Sequence, residues 1–121
     1  MKSVLVVDDS KDLRYLSQKI LLKEGFRCAM AENGKQACNM LMDGFIPALI
    51  LLDLTMPIMS GWEFLKWKNT RPEFNSIPVV VISSEQTEKP LGVLSFISKP
   101  FDYSGLVKEI RKHTRDREAH A

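Results

Sequence analysis

The sequence predicts an α/β fold, a doubly wound sheet of five parallel strands, on three observations. Short apolar runs recur along the chain: Val4-Leu5-Val6-Val7, Ala48-Leu49-Ile50-Leu51-Leu52, Val79-Val80-Val81-Ile82 and the shorter Phe96-Ile97-Ser98. Continuous β-branched or Leu-rich runs suit strands covered by helices on both faces. Segments with helical spacing of apolar residues separate them, so strand and helix alternate. Each run also ends in a reactive side chain: Asp8-Asp9, Asp53, Ser83 and Lys99-Pro100. In parallel sheets, ligands bind beyond the carboxyl ends of the strands.

The elements follow in order. After a strand at 3–8, residues 11–24 place Leu13, Leu16, Ile20 and Leu21 on one helical stripe, and Gly25 provides the stop. Phe26 to Ala31 reads as the second strand. A helix over about 34–42 turns Ala37, Met40 and Leu41 inward and stops at Gly44, with Pro47 beyond. The third strand covers 48–53. A loop with Pro57 and Gly61 leads to a helix near 61–70, where Phe64, Leu65, Trp62 and Trp67 supply apolar mass and Arg71-Pro72 marks the end. Strands at 77–82 and 95–98 and a helix at 103–115, with Leu106, Val107 and Ile110 inward, complete the pattern. Short connections and right-handed crossovers give the flavodoxin-like arrangement, with strand order 2-1-3-4-5. The first and third strands then flank the switch point, and these two deliver Asp8, Asp9 and Asp53. No repeat, low-complexity segment or linker is present.

A chain of 121 residues has room for one domain, 1–121, with a real core. Hydrophobic content of 45% beside 26% charged residues excludes a disordered chain. The longest apolar stretch, Phe45 to Leu52, is broken by Pro47 and too short to span a bilayer. The N-terminus lacks the form of a signal peptide, so a cytoplasmic location is expected, with no membrane partner. Cys28 and Cys38 lack metal-ligand spacing and are expected to be free. A net charge of +2 is too small to imply nucleic-acid binding. Lys108, Arg111, Lys112, Arg115 and Arg117 are interspersed with Glu109, Asp116 and Glu118, which reads as a solvated helix face.

Four pieces of sequence together carry a specific resemblance: VLVVDDS at 4–10, ALILLDLTMPIMSG at 48–61, IPVVVISS at 77–84 and FISKPF at 96–101. The chain resembles, over nearly its whole length, the receiver domain of bacterial response regulators, the family of the small chemotaxis regulator. The resemblance implies that Asp53 is phosphorylated by a sensor histidine kinase or a phosphotransfer protein. A carboxylate is a weak nucleophile, so the chemistry needs a metal to align and neutralise the phosphoryl oxygens. By the family pattern Mg²⁺ would be held by Asp9, Asp53 and the backbone carbonyl of Thr55, and by Asp8 through a water. Lys99 would meet a phosphoryl oxygen as a point charge, and Ser83, where the family often has Thr, would donate a hydroxyl. Pro100 implies a cis Lys99–Pro100 bond, Pro57 and Gly61 are structural, and Gly61 would permit a positive-φ turn. Phosphorylation would draw Ser83 inward and make room for Phe96 to rotate, an aromatic switch.

One segment departs from the family. Only fifteen residues separate Ser83 from Lys99, and Pro90 and Gly92 lie among them. A shortened fourth helix of one or two turns, or a loop, is expected over 84–94, with Leu91, Val93 and Leu94 sealing the core or partly exposed. Three readings of function follow. The first is a phosphoacceptor switch without an effector domain, monomeric or weakly dimeric, signalling to an unidentified downstream protein and not itself an enzyme. The second is a protein-binding module that no longer uses phosphate, against which the five intact site residues argue. The third is an aspartyl-phosphate phosphohydrolase, which wants an acid–base aspartate where this chain has Thr55.

Overall fold

The computed structural model describes residues 2–119 except Gln86 and Leu91, and side chains as far as Thr114. Its elements are β1 (Ser3–Val7), α1 (Lys11–Lys23), β2 (Arg27–Ala31), α2 (Gly34–Met42), β3 (Leu49–Leu52), α3 (Gly61–Asn69), β4 (Val79–Ser83), β5 (Ser95–Ser98) and α4 (Tyr103–Ala119). The five strands are all parallel, in the order β2-β1-β3-β4-β5. This is the doubly wound sheet that the apolar runs imply, with β1 and β3 at the switch point. In register, Val7 lies opposite Leu52, so the segments after these strands leave the sheet side by side.

Alternation along the strands divides the core in two. Leu5, Val7, Ile50, Leu52, Val79 and Val81 point to one face, where Ala37, Leu41, Phe64 and Leu65 of α2 and α3 meet them. Val4, Val6, Leu49, Leu51, Val80 and Ile82 point to the other, against Ile20 and Leu21 of α1 and Leu106 and Ile110 of α4. Both faces of the central strands are thus covered, which is why their sequences are apolar without interruption.

Caps set the helix positions. Ser10 is the N-cap of α1, its Oγ accepting from the Leu13 N–H, and Asn33 caps α2 in the same way through Gln36. Ser60 and Glu63 form a reciprocal capping box at α3. Gly25 and Gly44 follow α1 and α2 with φ of 89° and 99°, the left-handed geometry that ends a helix.

Several expectations need correction. Leu16 is half exposed, because the α1 stripe meets the sheet through Ile20, Leu21 and the small Ser17 instead. Trp62 lies on the outer side of α3, whereas Trp67 stacks on Phe74 with ring centroids 5.4 Å apart. Gly61 does not adopt positive φ; in that loop the left-handed residue is Ile58, at φ 68°. Of the two expectations for 84–94, the loop is found and the shortened helix is not, among the described residues. Gly92, at φ 81°, makes a turn in which the Val93 N–H donates to the Pro90 carbonyl at 3.3 Å, and Pro90 lacks the N–H a helix interior requires. Val93 seals the core and Leu94 is exposed; Leu91 lies outside the described residues. So do the side chains of Arg115 and Arg117 from the expected basic face. The two cysteines are free, and burial pushes the Cys28 thiol up to about 11. No helix among the described residues is long and apolar enough to cross a membrane.

Candidate functional site

The site lies where β1, β3 and β4 end and the chain turns away. Asp8 follows β1 directly; its N–H donates to the Ala31 carbonyl, which holds it beside the sheet. One of its carboxylate oxygens accepts from the Ser10 N–H at 2.8 Å. Arg14 donates to the Asp8 carbonyl at 2.7 Å. Asp53 follows β3 and donates its N–H to the Val7 carbonyl, so β1 positions both carboxylates. Since Ser10 caps α1, the Asp8-Asp9 pair is left for other work.

Asp8, Asp9 and Asp53 each present a carboxylate oxygen within 4.8 Å of the others. Asp8 and Asp53 are buried and Asp9 is exposed, so the cluster forms a cleft with one open wall. Lys99 reaches in from the end of β5: its Nζ lies 3.0 Å from Asp8 Oδ2 and 3.5 Å from Asp53 Oδ2. Its backbone N–H donates to the Ser83 carbonyl, and the Lys99–Pro100 peptide bond is cis. The Asp53 carboxyl is held above the ordinary carboxylate range, first by burial and then by the Asp8 charge, against the pull of Lys99 and the Thr55 N–H.

Hard oxygen donors clustered in this way suit a small divalent cation that keeps part of its water shell. The residues therefore fit a magnesium site, with Asp8, Asp9 and Asp53 as donors. Ser83 is buried at the end of β4, next to β3, but its Oγ faces the following loop and accepts from the Glu85 N–H at 3.1 Å. Phe96 sits on β5 opposite Val81, half-buried against the core beneath the site.

Sequence reasoning missed one member of this region, Glu85. Its carboxylate accepts from Thr55 Oγ1 at 2.7 Å and from Trp62 Nε1 at 3.3 Å, closing one rim of the cleft. The available signal was a carboxylate two residues after Ser83, in a segment read only for its helix breakers. Gly61 also proves structural for an unforeseen reason: an added Cβ would overlap the Asp53 carbonyl oxygen.

Residues 4–111 match the response regulator receiver domain. The chain belongs to that family. Among curated relatives, the sporulation initiation phosphotransferase F of Bacillus subtilis is 32% identical over 116 residues, covering 93% of each chain. The transcriptional regulatory protein CpxR of Escherichia coli K12 is also 32% identical, but this chain spans only 48% of its length. Solved structures agree with the receiver fold. The response regulator TrrA of Thermotoga maritima, in complex with Mg²⁺–BeF, is 26% identical with a TM-score of 0.82, covering 93% of this chain and 99% of its own. A CheY-like receiver domain from Methanospirillum hungatei is 28% identical with a TM-score of 0.81, covering 93% of both. The chain is thus a receiver domain of the two-component response regulators, with the family's acidic cluster at the expected strand ends.

Proposed function

We propose that this receiver domain is a phosphoacceptor switch, phosphorylated on Asp53 by a histidine kinase or phosphotransfer protein in a Mg²⁺-dependent reaction. The observation that supports it best is Lys99, held between two buried carboxylates beside a third: a phosphoryl group on Asp53 would meet a cation already in place. In the transfer, an Asp53 carboxylate oxygen forms a bond to phosphorus as the bond from phosphorus to the donor imidazole nitrogen breaks, and the imidazole leaves with its electron pair. Asp8, Asp9, Asp53 and the Thr55 carbonyl would hold the magnesium ion. When bound, that ion neutralises and aligns the phosphoryl oxygens.

Ser83 would turn its hydroxyl to a phosphoryl oxygen, and Phe96, half-buried one layer below, would move into the space released. The partner kinase supplies the phosphoryl group and the receiver accepts it, so the domain is a substrate and signalling component rather than an enzyme. Output would pass to a protein partner in the cytoplasm. Thr55, with its hydroxyl donated to Glu85, offers no carboxyl acid–base for a hydrolase.

Acetyl phosphate provides the test. With Mg²⁺ it should add one phosphoryl group to the wild type, seen as a single mass increment mapped to Asp53, and none to Asp53→Asn. Equal labelling of both would sink the assignment. Labelling that survives both omission of Mg²⁺ and Asp9→Ala would remove Asp9 from the ligand set.

A further inference from the structure

Ser95 opens β5, at the end of the sheet away from Asp53, and it interrupts the apolar pattern of its face. In register it lies opposite Val80, which is buried with Leu106 and Ile110 of α4. The α4 side chains that meet Ser95 are polar. Its Oγ donates to Glu109 Oε2 at 2.6 Å and lies 2.8 Å from His113 Nε2. Glu109 and His113 stand four residues apart, so they share one face of the helix, and their Oε2 and Nε2 are 3.4 Å apart. This is no nucleophile relay, because Glu109 approaches the same imidazole nitrogen as the serine. Three donor atoms from two elements converge on one point.

We propose that Glu109, His113 and Ser95 form a second cation site, for a borderline transition metal such as Zn²⁺, that clips α4 to the edge strand. Two ligands at adjoining corners of a zinc tetrahedron, each about 2.0–2.1 Å from the ion, lie roughly 3.3–3.4 Å apart. The carboxylate and the imidazole already have that spacing. Ser95 Oγ is nearer to both because it is hydrogen-bonded to them. A retreat of roughly 0.6 Å would bring it to a third corner, leaving the fourth to water. Imidazole beside carboxylate selects zinc over magnesium, which demands oxygen donors. The Ser95 hydroxyl, before any other cause, holds the Glu109 carboxyl below the ordinary carboxylate range, so the anion the metal needs is present. Lys112 adds repulsion, weakened because that residue is exposed. An open cavity of about 590 Å³ beside β5 has Glu109 in its wall and gives the ion a way in. The site stands apart from the acidic cleft and does not depend on the phosphoacceptor reading.

The test is zinc titration of the full chain, without an affinity tag, by isothermal titration calorimetry. The parent protein carries Asp9→Ala and Asp53→Asn, which disable the acidic cleft as a competitor, and His120→Ala, which removes the other histidine. Into it are placed His113→Gln, Glu109→Gln and Ser95→Ala singly, each checked by circular dichroism. The parent should bind one Zn²⁺ and melt at a higher temperature with it. His113→Gln and Glu109→Gln should each weaken binding by about tenfold or more, and Ser95→Ala, which removes the weakest donor, by less. A parent that binds no zinc below about 1 mM overturns the proposal. So does a His113→Gln protein that binds as the parent does.

The wild type supplies a second readout that stands even if the variants unfold. Its His113 ring nitrogens, assigned through His113→Gln, should shift in ¹H–¹⁵N spectra when Zn²⁺ is added and stay in place with the same concentration of Mg²⁺. Equal shifts with both ions would mean a general effect of charge and would overturn the site. Since the parent has no working acidic cleft, a failure of zinc binding there leaves the phosphoacceptor reading standing.

Discussion

Gly61 packs its α-carbon against the backbone of Asp53. A Cβ there would overlap the Asp53 carbonyl oxygen and come 2.8 Å from the Leu54 α-carbon, while the Gly61 N–H donates to the Leu54 carbonyl at 3.0 Å. The start of α3 is thus pressed onto the strand end that carries Asp53, the proposed phosphoacceptor. Backbone offers no rotamer by which to yield, so Gly61→Ala must push α3 and β3 apart. We expect a loss of roughly 2–3 kcal/mol in urea unfolding. A loss below about 0.5 kcal/mol, within the range of ordinary surface substitutions, would show that the loop moves aside freely.

Ile58 presents the opposite situation. It is 82% exposed and adopts φ 68°, a region that β-branched residues rarely enter. No burial offsets the strain, so a residue that tolerates the left-handed conformation should be better there. Ile58→Asn, which avoids the unfolded-state entropy of glycine, should raise stability by about 1 kcal/mol. Thermal melts decide it, and a lowered melting temperature would mean that Ile58 makes a contact its exposure does not suggest.

The sheet was legible because central strands covered on both faces leave an unbroken apolar run, and each such run ended in a side chain with chemistry. Asp8, Asp53 and Lys99 could be placed at one edge from order alone. Pro90 and Gly92 announced that a full helix could not form between β4 and β5. What remained hidden depends on distance rather than pattern. A glycine in a motif signals either positive φ or close approach, and nothing in the string separates the two; Gly61 proved to be the second and Ile58 took the first. Trp62 carries an apolar ring, yet its indole N–H faces Glu85, 23 residues later. Lys68 falls on the buried stripe of α3, four residues after Phe64 and three after Leu65, but its charged side chain hides that place in a string read for apolar residues.

Lys68 is nearly inaccessible at 1% exposure, and its ammonium donates to the Asn75 carbonyl at 3.3 Å. Burial holds it below the ordinary lysine range. At alkaline pH the folded state then binds fewer protons than the unfolded state, so stability rises with pH through the window below the unfolded lysine value of about 10.4. Lys68→Met keeps the aliphatic length without the charge. It should be more stable at pH 7, by about 1 kcal/mol, with the advantage shrinking toward pH 10.5. Other groups cancel in the difference between the two melting curves. A difference independent of pH would show that Lys68 titrates as it does in the unfolded chain.

Asp53 carries the last prediction. Burial and the Asp8 charge disfavour its ionised form, and these outweigh Lys99 and the Thr55 N–H. A carboxyl whose folded pKa is raised binds more protons folded than unfolded as pH climbs through the window between the two values. Stability therefore falls across that window and stays lower above it. Asp53→Asn removes the charge and keeps the shape, so without Mg²⁺ it should melt a few degrees above wild type at pH 7, as about 1 kcal/mol would produce in a domain this size. The gain should vanish as pH drops below the ordinary carboxylate value, where the wild-type side chain is neutral too. Adding Mg²⁺ should reverse the order at pH 7, because a cation bound only by the folded protein stabilises it by mass action, and the variant lacks one donor. Melting curves at pH 3.5, 5 and 7, with and without Mg²⁺, settle the point. A variant less stable than wild type at pH 7 without Mg²⁺ would mean that the Lys99 ion pair outweighs burial.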